Sequence, residues 1–303
     1  MINEETICPK CKGNKLIKRG ILKTENKGNR QRFGCKNCNH RFIIDEPFKR
    51  MRNHEQIITQ CMDLYYSGMS FRKIADHLQR FFPKGVHHST IYRWIIKYVP
   101  MMENFTDKQK LKDVKSLQGD EVEYHRRKYH NRKGVDRNWF VDIIDTKSRY
   151  IVSSDYSTTR DLKSMTKTWS RAKRKVGDSV KYISTDGLYI YDKTLKSTFG
   201  LRTRNQRAVK KSPVIHKIIK STSKTFNYKI ERFHNSLRER TKVMRGFHGR
   251  VSSAQTIMKG YEIYYNWVRE HQGLNGLTPS QIAIPDVQIQ NKNKWIELIQ
   301  RGD

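Results

Sequence analysis

Apolar positions recur at helical spacing over 55–67, where Ile57, Ile58, Cys61, Leu64 and Tyr65 share a face and Gly68 ends the run. Ser70 is placed to cap a second helix that carries Phe71, Ile74, Ala75 and Leu78 inward. Ser89 can cap a third, in which Ile91, Trp94, Ile95 and Tyr98 form the apolar stripe. Pro100 is expected to end that helix, and the polar stretch 106–115 to be a linker. From 114 to 245 the pattern alternates. Strands are predicted over 114–124, 139–145, 150–155 and 180–184, with a hairpin turn at 145–148. Helices are predicted over 159–176, beyond Asp186-Gly187, and over 228–245. A tail helix spans 253–271, with Ile257, Tyr261, Tyr264, Tyr265 and Val268 at helical spacing. No internal repeat is present.

Charge then narrows the partners. Lys and Arg number 62 against 29 Asp and Glu, a formal net charge of +33. The excess runs along the whole chain, so nucleic acid is the expected partner. No apolar run approaches the length of a membrane span. Residues 1–20 are polar and read as no signal peptide, so a soluble, cytoplasmic, nucleoid-associated protein is expected.

Residues 1–45 have little apolar content but hold two Cys-x-x-Cys pairs, Cys8/Cys11 and Cys35/Cys38, separated by 23 residues. Two such turns present four thiolates to one Zn²⁺. A unit this small needs such a staple to fold. Four protein ligands leave no open position, so the site is expected to be structural. His40 is read as a bystander, and Cys61 as a small core residue. Lys18, Arg19, Lys23, Lys27, Arg30 and Arg32 between the knuckles are candidates for phosphate contact or simply solvated charge.

The three helical segments fit a helix-turn-helix DNA reader or a plain packing bundle. In the first reading Ser89, Thr90, Tyr92, Arg93 and Lys97 lie on the outward face of the third helix. Three acids stand out against the basic background. Asp120 lies in a predicted strand, Asp186 just after another with Gly187 permitting close approach, and Glu231 in the first turn of a helix. Three carboxylates from distant parts of the chain can hold two divalent metals, Mg²⁺ or Mn²⁺, for phosphoryl transfer. Glu121, Glu123, Asp142, Asp145 and Asp155 are rivals. On the Glu231 helix, His234, Asn235 and Arg238 are read as a polar face toward DNA, with Lys242 beyond, opposite the packing stripe Ile230, Phe233 and Leu237.

Asp120-Glu121, Thr185-Asp186-Gly187 and Asn227-x-x-Ile230-Glu231-Arg232, with Arg238 and Arg240 downstream, resemble the three motifs of DDE insertion-sequence transposases. Lys242–Phe247 in sequence, Tyr265-Asn-Trp267 and Leu277–Ala283 resemble the end of that catalytic domain, and 88–95 the last helix of its DNA-binding region. The resemblance implies a multi-domain chain: a zinc ribbon (1–48), an all-α helix-turn-helix domain (49–104), an α/β ribonuclease-H-like core with a mixed sheet (112–250) and a helical extension (251–303). It implies an enzyme that binds a mobile element's ends, cleaves there and joins the 3′-OH to target DNA. Asp120 and Asp186 would carry a shared metal and Glu231 would complete a second site. Synapsis implies at least a dimer. A DNA-binding regulator or inactive relic, and a nuclease of the same fold, are the alternatives. Asp186 and Glu231 are separated by 44 residues, and 199–226, with eight Lys or Arg and no acid, reads as an inserted segment that tracks phosphate. Glu239 is the substitute should Glu231 be misplaced. Neither the terminal repeat nor the target preference is legible.

Overall fold

The computed structural model describes residues 7–24, 28–43, 47–48, 51–82, 85–127, 135–200, 214–219, 227–242, 244, 247–248 and 250–303. At the N-terminus, β1 (Leu16–Thr24), β2 (Gly28–Cys35) and β3 (Arg41–Ile43) form an antiparallel sheet in that order. Cys8 and Cys11 flank a turn before β1, while Cys35 ends β2 and Cys38 lies in the turn that follows. Lys18, Arg19, Lys23 and Arg32 are exposed on this sheet, and Lys27 falls outside the described residues.

Three helices follow: α1 (Glu55–Tyr66), α2 (Phe71–Phe81) and α3 (His88–Thr106). Ile58, Cys61, Tyr65, Ile74, Leu78, Ile91, Trp94, Ile95 and Tyr98 are buried among them, the stripes expected from spacing. Ser70 caps α2, accepting from the Lys73 N–H at 3.3 Å. Three expectations fail. The cap of α3 is His87, whose ring accepts from the Ser89 N–H, so Ser89 lies inside the helix. Nor does α3 end at Pro100. A mid-helix proline loses one hydrogen bond and crowds a carbonyl, but Val99, Met102 and Thr106 are buried along the same helix, which packs on two tail helices. That burial outweighs the local cost. The stretch after α3 is no free linker either. Leu111 and Val114 are buried, the Leu111 N–H donates to Lys175 O, and the Lys112 N–H to Ala283 O.

The second sheet is mixed. Its strands are β4 (Ser116–Arg127), β5 (Val135–Asp145), β6 (Ile151–Ser157), β7 (Tyr182–Thr185) and β8 (Ile215–Ile218), ordered β6-β5-β4-β7-β8. The short β9 (Phe247–His248) pairs with the far end of β4. β4, β5 and β6 run antiparallel, while β7 and β8 are parallel to β4. This mixed sheet flanked by helices is consistent with a ribonuclease-H-like core. β8 corrects one reading, because part of 199–226 supplies the sheet's outer strand. The remainder of that segment, 201–213 and 220–226, lies outside the described residues, as does any phosphate-tracking role for it.

α4 (Leu162–Val176) and α5 (Tyr189–Phe199) cover one face, and α6 (Tyr228–Lys242) crosses the other. Adjacent residues of β4 show the division. Gly119 lies against Trp169 of α4, and Asp120 against His234 of α6. The tail comprises α7 (Val251–Ile263), a π-helical turn at Tyr264–Val268, α8 (Pro279–Ala283) and α9 (Lys294–Gly302). In that π turn Asn266 accepts from the Ile151 N–H at 2.8 Å and donates to Ile151 O at 2.9 Å. One side chain thus satisfies both backbone groups of Ile151 at the edge of β6, and Gln255 of α7 donates to Tyr156 O further along it. Tyr261 and Tyr265 are buried, and α7 and α9 also pack on α3.

Candidate active site

Register brings the acids together. The parallel ladder of β4 and β7 ends with Gln118 opposite Ser184. Two residues further along the chain stand Asp120, still in β4, and Asp186, just past the end of β7. Asp142 of β5 pairs directly with Asp120 across the antiparallel ladder. Oxygens of Asp120, Glu121 and Asp186 lie within 4.8 Å of one another. Three half-buried carboxylates so close repel one another unless a cation or protons intervene. An all-oxygen donor set of this kind suits a hard divalent ion such as Mg²⁺ or Mn²⁺. Among the described residues, a Cβ at Gly187 beside Asp186 would meet only Ile218, at 3.8 Å.

Glu121 was only a rival from sequence, yet it belongs to this cluster. It points to the α5 side, where Tyr191 donates to Oε2 and Arg160 to Oε1 at 3.0 Å. Arg160 in turn lies 4.1 Å over the Trp139 ring. Burial raises the Glu121 carboxyl above its ordinary range; Asp186 and Asp120 push the same way, and Tyr191 and Arg160 only partly offset them.

α6 is fixed to β4 by Gln118. Its Oε1 accepts from the backbone N–H groups of Lys229 and Ile230 at 3.1 and 3.3 Å, satisfying donors that a helix start leaves without partners. Glu231 follows in that first turn. It is exposed and is not among the converging carboxylates, and neither is the exposed Glu239. His234 departs furthest from expectation. It was read as facing DNA, but its side chain is 1% exposed. Nδ1 faces Asp120 Oδ2 at 3.3 Å and Nε2 faces Asp142 Oδ2 at 3.1 Å. Burial disfavours the imidazolium, but the two carboxylates overcome it and hold its pKa up at about 9. Asp142 is fully buried, and Ser154 donates to its other oxygen.

The four N-terminal thiols also converge within 4.8 Å. Cys8 Sγ lies 3.6 Å from Cys38 Sγ, and Cys11 Sγ 3.4 Å from Cys35 Sγ. A tetrahedral zinc with about 2.3 Å bonds separates its sulfurs by about 3.8 Å, so the spacing fits such an ion and is too long for disulfides. Burial alone would raise the Cys8 thiol, but backbone N–H groups of Cys11 and Lys10 lower it to about 7.

On α3, Arg93 and Lys97 are exposed, and Ser89 and Thr90 half-buried. Tyr92 does not face freely outward. Its hydroxyl donates to Ser253 of α7 at 3.1 Å, and its ring meets Phe71 edge-on. On α6, Arg238 and Lys242 are exposed. No helix among the described residues is long and apolar enough to cross a membrane.

Residues 213–279, from just before β8 to the first residue of α8, match the integrase core domain family. A stretch of 106 residues is 29% identical to the "Insertion element ISM1 uncharacterized 48.3 kDa protein" of Methanobrevibacter smithii, covering 30% of this chain and 26% of that protein. The chain thus spans about a quarter of the length of that curated relative. The chain is thus similar to integrase core domains over 213–279 and to an insertion-element protein over 106 residues.

Proposed function

We propose that this chain binds the ends of a mobile DNA element, cleaves there, and joins the freed 3′-OH to target DNA. The observation that carries the reading is the convergence of Asp120 and Asp186 in a chain of charge +33. Each step exchanges one P–O bond for another. Water displaces the 3′ oxygen at the element's end, and that hydroxyl then displaces a 3′ oxygen in the target. No covalent protein–DNA intermediate is needed. Divalent metal, when bound, neutralises charge on the attacking and leaving oxygens of an in-line displacement. Asp120 and Asp186 would hold it, with Glu231 completing the set from α6. Glu121 offers a second source for the third carboxylate, because it already stands in the cluster.

The rest of the chain delivers DNA to that point. In this reading residues 1–48 are a zinc ribbon held by Cys8, Cys11, Cys35 and Cys38, and 49–104 a helix-turn-helix domain. Arg93 and Lys97 contact phosphate, joined by Arg238 and Lys242 from the catalytic core (112–250). Ser89 and Thr90 stand beside them, while Tyr92 would first have to leave Ser253. The 251–303 extension ties these parts together, and two protomers act at synapsis.

The test is strand transfer with Mn²⁺, using the full-length chain and labelled duplexes bearing the element's ends. Asp120→Asn and Asp186→Asn should each abolish cleavage and joining while end binding survives. Glu231→Gln and Glu121→Gln identify the third carboxylate, because only loss of the true ligand removes activity to the same extent. Joined products that persist in Asp186→Asn would refute the assignment.

A further inference from the structure

Asp142 is a carboxylate with no exposure, set between the buried Val141 and Ile143. A buried charge is costly unless paired and hydrogen-bonded. Its partners are the Ser154 hydroxyl on one oxygen and His234 Nε2 on the other. His234 spends its second nitrogen on Asp120. Both ring nitrogens therefore face acceptors, and the ring joins a fully buried acid to a half-buried one. Asp120 Oδ1 meanwhile accepts from the Glu121 N–H at 2.9 Å. The Asp120 carboxylate is thus gripped at each oxygen, once by the Glu121 N–H and once by His234 of α6.

We propose that His234 is a positioning residue that orients Asp120 for metal binding, with Asp142 as its buried anchor. The proposal rests on the reading of Asp120 as a metal-holding carboxylate. Groups behind metal ligands fix ligand orientation, and their loss costs roughly 10–100-fold in metal affinity. The same ring ties α6 to β4 a turn beyond the Gln118 contact, so the helix bearing Glu231 and the strand bearing Asp120 are held together at the carboxylate itself.

Two substitutions separate positioning from mere filling of the core. The Asn amide overlays the imidazole Nδ1 and can still donate to Asp120. The Gln amide overlays Nε2 and can still donate to Asp142 but not to Asp120. Mn²⁺ binding to the zinc-loaded full-length protein is followed by electron paramagnetic resonance, with Asp186→Asn marking which signal belongs to the acidic cluster. His234→Ala should weaken Mn²⁺ binding by roughly 10–100-fold. His234→Asn should bind Mn²⁺ more tightly than His234→Gln, and strand-transfer rates should follow the same order. If His234→Ala does not fold by circular dichroism, the order of the Asn and Gln variants still decides. Equal affinities, the reverse order, or a folded His234→Ala that binds Mn²⁺ like wild type would overturn the proposal alone. Wild type and Asp186→Asn binding Mn²⁺ identically would overturn the metal reading, and this proposal with it.

Discussion

Gly119 shows how closely the acidic site depends on one missing atom. A Cβ at this position would stand 2.4 Å from the Trp169 ring, which is fully buried and meets Tyr191 edge-on. The glycine lets α4 settle on β4 directly beside Asp120. Gly119→Ala is expected to destabilise the protein by about 1–3 kcal/mol through overpacking and to lower strand transfer further, because the strand that must move carries the acid. Denaturant unfolding checks the first effect; unchanged stability would mean that Trp169 relaxes freely. At this scale Asp120 and Asp186 were legible as acids in structured contexts. The inward turn of His234 was not. Its spacing from Glu231 suggested a shared polar face, but its place beside Phe233 in the buried stripe decides the orientation, and the carboxylates that receive it come from β4 and β5. The pairing of Asp142 with Asp120 spans the 128–134 connection, so no turn motif announces the register.

Among the elements, the end of α3 repays a test. Asp107 follows that helix, and its Oδ1 accepts from Lys175 of α4 at 2.9 Å and Lys259 of α7 at 2.6 Å. One carboxylate joins three helices. Burial would raise its pKa, but Lys259 and Lys175 outweigh this and lower it to about 2. A depressed carboxylate stabilises the fold fully above its unfolded pKa of about 3.9, and this contribution fades as pH falls toward about 2. Wild type should therefore lose Tm between pH 4 and 2 more steeply than Asp107→Asn. Parallel curves would remove Asp107 from that role. Because the carboxylate is partly exposed and screened, Asp107→Ala should cost only about 1–2 kcal/mol at pH 7. Helical spacing foretold α1, α2 and the buried stripe of α3, and alternation foretold four strands of the second sheet. What it missed was decided by tertiary contact: the run of α3 through Pro100, and β8, four residues recruited to the sheet from a basic stretch with no alternation of its own.

At the scale of the whole molecule, the three-helix unit is docked rather than tethered. A Cβ at Gly260 of α7 would lie 1.8 Å from the Tyr66 hydroxyl and 2.8 Å from Val99. Tyr66 also stacks with Trp295 of α9 at 5.6 Å. Gly260→Ala should push α7 from α1 and α3, costing about 1–3 kcal/mol and opening 107–115 to protease. Resistance equal to wild type would mean that the contact carries little. In the proposed reaction Asp120 and Asp186 share divalent metal for DNA chemistry. Anomalous diffraction from Mn²⁺-soaked crystals of the full-length protein bound to a duplex oligonucleotide measures this most directly. Mn²⁺ should be coordinated by both Asp120 and Asp186, with Glu231 or Glu121 beside them, and no such density should appear in Asp186→Asn. Mn²⁺ absent from the pair, or retained unchanged in Asp186→Asn, would contradict it.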